Sequence, residues 1–171
     1  MDHPLLPSVK VWFLDFYKGE MKDLLAKAKF GGEFSLFEQM IPKDLPLESA
    51  VLVPVPQGRW RFANRGFNQS EIIAQTLALR HNLKVSNCLK DLSGREAMHF
   101  KSRQGRLARG KKIMVNRRLV SVLKTRQVVL VDDILTTGAT VKACVDALAD
   151  SGITVQVIVV LAYTKRKRTT V

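Results

Sequence analysis

The sequence has few of the side chains that build metal sites or disulfide frameworks. Its 171 residues include two cysteines, Cys88 and Cys144, and three histidines, without the spacing of a zinc site. A chain of this length can bury a core without such support. Because Cys144 falls on an apolar helix face and buried cysteine packs like a small hydrophobic residue, we expect both cysteines to be packing residues. We also expect that no zinc is bound.

Long apolar runs are also absent. No run approaches the roughly 20 residues that a membrane-spanning helix needs, and residues 1–7 are not a secretory signal. The phosphate-binding pattern Gly-x-x-x-x-Gly-Lys-Ser/Thr is missing too, which argues against a nucleoside triphosphatase of that class. We therefore expect a cytoplasmic protein that does not insert into membranes.

Acidic residues are the scarcer charged type, with 15 Asp and Glu against 28 Lys and Arg, for a net charge of +13. The basic excess lies in residues 59–65, in residues 95–118, where nine basic residues accompany only Glu96, and in residues 165–168. A role in solubility explains the basic tail, but it explains the basic loops poorly. We expect these loops to contact phosphate groups. We expect one domain over residues 1–164 and a disordered tail over residues 165–171.

The chain is organised around residues 127–140, where an apolar run ends in two carboxylates. Val128 to Val131 are β-branched or bulky, as in a parallel strand that helices cover on both faces. Because desolvating an unpaired carboxylate costs roughly several kcal/mol, Asp132 and Asp133 cannot lie unpaired in the core. We expect them at the carboxyl end of the strand, facing a ligand.

A loop of small and hydroxyl side chains follows the two acids. It consists of Thr136, Thr137, Gly138, Ala139 and Thr140. Backbone N–H groups and hydroxyls of such a loop can turn toward an anion at the start of a helix, which predicts a phosphate site. Apolar residues then recur at helical spacing from residue 141 to residue 148, before a Ser-Gly pair that ends the helix. The two acids would accept hydrogen bonds from the hydroxyls of a phosphorylated sugar.

Strands and helices alternate along the rest of the chain. The hydrophobic pattern predicts strands at 9–17, 50–53, within 83–92 and 153–161, an edge strand within 116–122, and helices at 21–30, 34–40 and 70–80. Asn68 and Glu71 have the spacing of a capping box at the start of the last of these helices. This order predicts an α/β fold, with a mostly parallel sheet, helices on both faces and a ligand at the carboxyl ends of the strands.

Two motifs carry a resemblance to a known family. Four apolar residues, Asp132-Asp133, two apolar residues and Thr-Thr-Gly resemble the phosphoribosyl pyrophosphate signature of type I phosphoribosyltransferases. Val-Pro-Val-Pro at residues 53–56, followed by Arg-Gly-Phe-Asn-Gln at 65–69, is similar to the ComF family within that superfamily. The resemblance implies a type I phosphoribosyltransferase-like fold that binds phosphoribosyl pyrophosphate with Mg²⁺.

The resemblance also implies roles for individual residues. Asp132 and Asp133 would be catalytic, holding the ribose hydroxyls and, indirectly through water, the metal, while the loop at 136–140 would hold the 5′-phosphate. The pyrophosphate loop and the lid over the ligand would use two further sets of residues: Val55, Pro56, Arg59 and Arg65 in the loop, and Lys101, Arg103 and Gln104 in the lid. Many ComF relatives begin with a four-cysteine zinc module, which is absent from this sequence.

The resemblance leaves the function open between an enzyme and a binding module. The enzyme would displace pyrophosphate at the anomeric carbon, using an acceptor that the sequence does not identify. Thr136 stands where purine-salvage relatives carry a carboxylate, which argues against purine acceptors. The competence link of the ComF family implies a role in DNA uptake, while a phosphoribosyl transferase of unrelated nucleotide metabolism is the alternative.

The binding module would use the same fold to hold single-stranded DNA. Its basic loops carry interleaved aromatic side chains, which could stack on bases while the cations meet phosphates. These aromatics are Trp60, Phe62, Phe67 and Phe100. Core packing is the favoured interpretation of the same side chains. A competence helicase is a further partner that the resemblance implies.

Overall fold

The computed structural model describes residues 2–3, 6–41, 45–47, 49–58, 62–63, 66–93 and 112–164. Its strands are β1 (Asp2–His3), β2 (Leu6–Phe16), β3 (Val51–Pro54), β4 (Lys84–Val85), β5 (Leu89–Asp91), β6 (Ile113–Val115), β7 (Val128–Leu135) and β8 (Val157–Tyr163). Its helices are α1 (Gly19–Phe30), α2 (Ser35–Met40), α3 (Gln69–His81) and α4 (Ala139–Ala149).

Six strands form one sheet in the order β1-β2-β8-β7-β3-β4. All neighbouring strands in it are parallel except β1 and β2, which are antiparallel. Strands β5 and β6 form a separate antiparallel pair. The predicted α/β fold with a mostly parallel sheet is confirmed. Because β3, β7 and β8 run parallel and side by side, their carboxyl ends open at one edge of the sheet.

Helices cover both faces of the sheet because its central strands are apolar on both sides. Val128 and Leu130 of β7 join the core under α4, while Val129 and Val131 join the core under α1, α2 and α3. This alternation follows from the period of two in a strand. Cys144 of α4 is fully buried, as is Cys88, so the prediction that both cysteines are packing residues is confirmed.

The last strand starts later than the sequence predicts. Strand β8 begins at Val157 rather than at residue 153, although Ile153 and Val155 are buried. The side-chain Oε1 of Gln156 accepts a hydrogen bond from the N–H of Val128 at 2.7 Å. A side chain therefore occupies a place that a strand backbone would otherwise take in the ladder.

The predicted edge strand within 116–122 is wrong. These residues form two short 3-10 turns, Arg117–Leu119 and Ser121–Leu123, and the strand β6 lies just before them. The side chain of Asn116 accepts a hydrogen bond from the N–H of Arg118 at 3.2 Å, which caps the first turn. A local cap thus overrides the β preference of the valines in this stretch.

The start of α3 is predicted only in part. Asn68 is the N-cap residue, and its Oδ1 accepts the N–H of Ser70 at 3.2 Å. In a capping box the side chain of Glu71 would accept a hydrogen bond from the N–H of Asn68. Here it accepts one from Asn87 Nδ2 at 2.7 Å instead. The helix begins at Gln69, one residue earlier than predicted.

Candidate functional site

A cleft of about 490 Å³ lies at the carboxyl edge of the sheet, between the loops that follow β3 and β7. These loops are neighbours because β3 pairs with β7 in parallel, Pro54 opposite Val131. Each loop leads into a helix, the first into α3 and the second into α4. The cleft is lined by Lys29, by Val55, Pro56, Gln57, Asn68, Gln69 and Ser70 on the β3 side, and by Asp132, Asp133, Ile134, Thr136, Thr137, Ala139 and Thr140 on the β7 side.

The turn before α4 combines a left-handed glycine with the N-terminus of a helix. Gly138 is the N-cap residue and has φ of +77°, a left-handed conformation in which a side chain would be strained. Thr137 Oγ1 accepts the N–H of Ala139 at 3.3 Å. The N-terminus of an 11-residue helix therefore faces the cleft with hydroxyl groups around it.

The two acids lie within β7 rather than in a turn after it, because the strand continues to Leu135. Asp132 Oδ1 accepts hydrogen bonds from Ser70 Oγ at 2.7 Å and from the N–H of Asp133 at 2.9 Å. Asp133 Oδ1 accepts the N–H of Ile134 at 2.6 Å. Both carboxylates therefore have hydrogen-bond partners and line the cleft.

Asp133 has a cationic partner that the sequence did not reveal. Lys29 Nζ, in the last turn of α1, lies 2.5 Å from Asp133 Oδ2, and the two side chains are only 12% and 16% exposed. Lys29 is one of three lysines in α1, with Lys22 and Lys27, and no local pattern separates it from the others. Only the packing of α1 against the sheet brings it to the site.

Asp132 is the titratable group that the cleft perturbs most clearly. Burial, followed by the negative charge of Asp133, raises the pKa of its carboxyl to about 7, against the lowering effects of Ser70, the N–H of Asp133 and Lys29. Asp132 therefore changes its charge near neutral pH. A cation or hydroxyl donor in the cleft would favour its charged form.

The β3 side of the cleft is held in place by Asn68. Its Nδ2 donates to the carbonyl of Val55 at 3.1 Å, which ties the start of α3 to the loop after β3. The N–H of Val55 in turn donates to the carbonyl of Val131 at 2.9 Å. Of the residues predicted for a pyrophosphate loop, Val55 and Pro56 line the cleft.

Other predicted site residues lie outside the described part of the chain. These are Arg59 and Arg65 of the pyrophosphate loop, Lys101, Arg103 and Gln104 of the lid, Trp60 and Phe100, and the tail at 165–171. Two predicted aromatics are described. Phe62 is 50% exposed, so core packing is wrong for it, while Phe67 makes an edge contact with Phe34 at 4.5 Å between ring centroids.

Comparison with known proteins assigns this fold and motif to a family. The family model for the phosphoribosyl transferase domain matches residues 66–171, more than half of the chain. The chain belongs to this family. It is 30% identical to Competence protein ComFC of Streptococcus pneumoniae (strain ATCC BAA-255 / R6) over 142 residues, which are 80% of the chain and 60% of that relative.

A second relative supports the same branch. The chain is 26% identical to Competence protein ComFC of Bacillus subtilis (strain 168) over 151 residues, which are 80% of the chain and 56% of that protein. The resemblance to the ComF family is therefore confirmed, and the chain spans less than two thirds of the length of either relative. Lys29 lies outside the residues that the family model matches.

Among the described residues, no helix is both long and apolar enough to cross a membrane.

Proposed function

We propose that the cleft binds phosphoribosyl pyrophosphate with Mg²⁺ and that the protein acts in natural competence. One observation carries the proposal: two adjacent carboxylates line the same cleft as Thr137 and Ala139, which flank the glycine at a helix N-terminus. Carboxylates accept hydrogen bonds from sugar hydroxyls, and a helix N-terminus attracts phosphate. A phosphorylated sugar presents both groups. The competence role is supported by the names of the two relatives.

Different residues of the cleft would contact different parts of the ligand. The 5′-phosphate would accept hydrogen bonds from N–H groups at the start of α4 and from the hydroxyls of Thr136, Thr137 and Thr140. Asp132 and Asp133 would hold the ribose hydroxyls. Their negative charge would also stabilise the positive charge that develops on the ribose as pyrophosphate leaves the anomeric carbon.

The carboxylate oxygens of the cleft suit a Mg²⁺ ion that is bound together with the phosphate groups of the ligand. Mg²⁺ keeps several waters and is bound through one or two carboxylates together with phosphate oxygens of the substrate. Within the described residues no three acidic, histidine or cysteine side chains cluster as a metal site. Asp132 and Asp133 would hold the ion indirectly, through its waters. When bound, Mg²⁺ would neutralise part of the charge of the pyrophosphate group.

Binding of single-stranded DNA is a second proposed activity, favoured by the charge of the chain. The net charge is +13, and nine basic residues lie between residues 95 and 118. Such a basic segment attracts a phosphate backbone by releasing its counterions. The same segment contains Lys101 and Arg103, which the family resemblance implies for the lid over the small ligand, so the two ligands would share these cations.

The test is isothermal titration of the wild-type chain with phosphoribosyl pyrophosphate, with Mg²⁺ and with excess chelator. We expect metal-dependent binding, and a loss of about 2 kcal/mol or more for Gly138→Val, because a β-branched side chain at this φ distorts the phosphate loop. Gly152→Val is the matched control, since Gly152 has φ of +76° in the turn after α4. If Gly138→Val folds and binds as well as wild type, the phosphate site has been placed wrongly.

A further inference from the structure

A second cavity, of about 410 Å³, lies between α3 and the strand β5. It is distinct from the cleft described above, because Asp132, Asp133 and the turn before α4 are not among the described residues that line it. Its walls are mostly apolar, with Leu89 and Leu92 on the β5 side and Phe62 from the segment before α3. The small ligand proposed for the cleft makes no use of this cavity.

Phe62 offers the cavity an aromatic ring that remains half exposed. Its side chain is 50% exposed. Its backbone is held on both sides, since the N–H donates to the carbonyl of Gly58 at 3.0 Å and the carbonyl accepts the N–H of Gly66 at 2.7 Å. An aromatic ring whose backbone is fixed beside an apolar cavity can stack on a planar group that enters it.

The charged residues of the cavity argue against a phosphate as that group. Glu71 and Asp91 both line it, and the exposed Lys90 is the one cation among its described lining residues. Two carboxylates repel a phosphate, but they accept hydrogen bonds from neutral donors. Glu71 Oε1 accepts Asn87 Nδ2 at 2.7 Å, which leaves the second oxygen of the carboxylate for such a donor. The cavity therefore suits a neutral, planar group that carries an amino group.

The cavity lies at the base of a strongly basic segment. The N–H of Leu92, which lines the cavity, donates to the carbonyl of Lys112 at 2.9 Å. Residues 93–111 therefore leave and rejoin the described structure beside the cavity, and their sequence has six lysines and arginines against one acid, Glu96. Lys90 and Lys112 are also exposed there. A polyanion with planar side groups could place a side group in the cavity and its backbone against these cations.

We propose that this cavity holds one nucleobase of single-stranded DNA, stacked on Phe62, and that it favours a base with an amino group. The inference rests on the DNA binding proposed above, and it assigns the base contact to a site outside the basic segment. Cytosine would donate from its N4 amino group to Glu71. Thymine has an oxygen at the same position of the ring, which would face the carboxylate without a proton between them.

The test measures base stacking and base preference separately. Fluorescence anisotropy follows the binding of labelled oligo(dC) and oligo(dT) to the full chain at several salt concentrations. We expect wild type to prefer oligo(dC) by about threefold or more, through a hydrogen bond to a charged group. Phe62→Ala should lose about fivefold or more in affinity for both oligonucleotides with an unchanged salt slope, because stacking releases no counterions. Glu71→Gln should reduce or reverse the preference, because glutamine keeps an oxygen for Asn87 and offers the base a donor.

The matched control is Phe30→Ala, which removes a ring that is 74% exposed at the end of α1 and should change neither affinity. An equal loss in Phe30→Ala and Phe62→Ala would overturn the inference. So would wild-type affinity in Phe62→Ala together with an unchanged base preference in Glu71→Gln, although salt-dependent binding by wild type would still support DNA binding. Wild type that binds neither oligonucleotide at low salt would contradict the proposed DNA binding itself, and the inference with it.

Discussion

Asp132 and Asp133 are adjacent in the chain but have different partners. Asp133 is paired with Lys29, while Asp132 accepts hydrogen bonds from neutral groups, the hydroxyl of Ser70 and the N–H of Asp133. Burial first, and then the charge of Asp133, raise the pKa of Asp132 to about 7. A ligand that binds more tightly to the charged form of Asp132 should therefore cause the protein to release protons when it binds near neutral pH.

Replacing Asp132 by Asn should stabilise the protein at alkaline pH. The folded-state pKa of Asp132 lies near 7, above its ordinary value of 3.8. The folded state therefore binds more protons than the unfolded state between these pH values, and stability is lost as the pH rises through them. Asn keeps an acceptor for Ser70 and removes the charge. We expect Asp132→Asn to exceed wild type by about 1 kcal/mol in free energy of unfolding at pH 8, with no advantage below pH 4.

Asp133→Asn is the control for this prediction, because it removes a carboxylate that has a cationic partner. It should not stabilise the protein at pH 8. Denaturant unfolding from pH 4 to pH 8 measures both variants. An Asp132→Asn protein that is equally stable or less stable than wild type at pH 8 would show that the cleft does not oppose ionisation of Asp132.

At the scale of elements, α1 completes a site that is otherwise built from β7, α3, α4 and two loops. Its last turn places Lys29 against Asp133, where it neutralises one of two carboxylates. An ammonium has three donors, and the ion pair with Asp133 leaves donors that can face the cleft. The cleft surface beside a phosphorylated ligand would therefore carry less negative charge than the two acids alone would give it.

Lys29→Met should lower both stability and affinity for phosphoribosyl pyrophosphate. The variant leaves the carboxylate of Asp133 largely buried without its cation, at an expected cost of about 1–3 kcal/mol in free energy of unfolding at pH 8. The same uncompensated charge would repel the ligand. Lys27→Met, exposed in the same last turn, is the control and should change little. The double variant Lys29→Met with Asp133→Asn should recover part of the lost stability, and additive losses would contradict the pairing.

Most helices and strands could be predicted from local sequence patterns, whereas the contacts between them could not. The run from Val128 to Val131 and the helix after Gly138 follow from periodicity and turn chemistry, which act within a few residues of chain. Strand β8 and the stretch at 116–122 were misplaced because Gln156 and Asn116 form side-chain bonds to backbone that no periodicity reveals.

Much of the cleft depends on chain that is distant in sequence. The phosphate loop and the two acids were identified because they form one short motif. Lys29 and Ser70 meet the acids only through the docking of α1 and α3, and the burial of Gln57 and Gln69 depends on the same packing. The sequence thus predicts which chemical groups the site contains at its centre, and the fold supplies their partners.

At the scale of the whole molecule, the positive charge is distributed in segments rather than evenly. If the segment at 95–112 binds single-stranded DNA, the affinity should fall steeply with salt, with a log–log slope of roughly 0.7 for each neutralised phosphate. Replacing Arg103, Arg106 and Arg109 by Ala should flatten that slope, as measured by fluorescence anisotropy at several salt concentrations.

A control with the same loss of charge separates this segment from general electrostatics. Lys84, Lys124 and Arg126 are exposed and lie outside the basic segment at 95–118. Replacing these three by Ala should change the slope less than the first set does. Equal changes in both triple variants would indicate diffuse attraction to the net charge of +13 rather than a defined DNA site.

The most direct measurement is a crystal structure of the chain with phosphoribosyl pyrophosphate and Mg²⁺. We predict the 5′-phosphate within hydrogen-bond distance of the N–H groups at the start of α4 and the ribose hydroxyls at Asp132 and Asp133. The pyrophosphate should reach the loop after β3. Density for the ligand in the neighbouring cavity of about 410 Å³ by β5, with the cleft at Asp132 empty, would contradict the assignment of this cleft as the binding site.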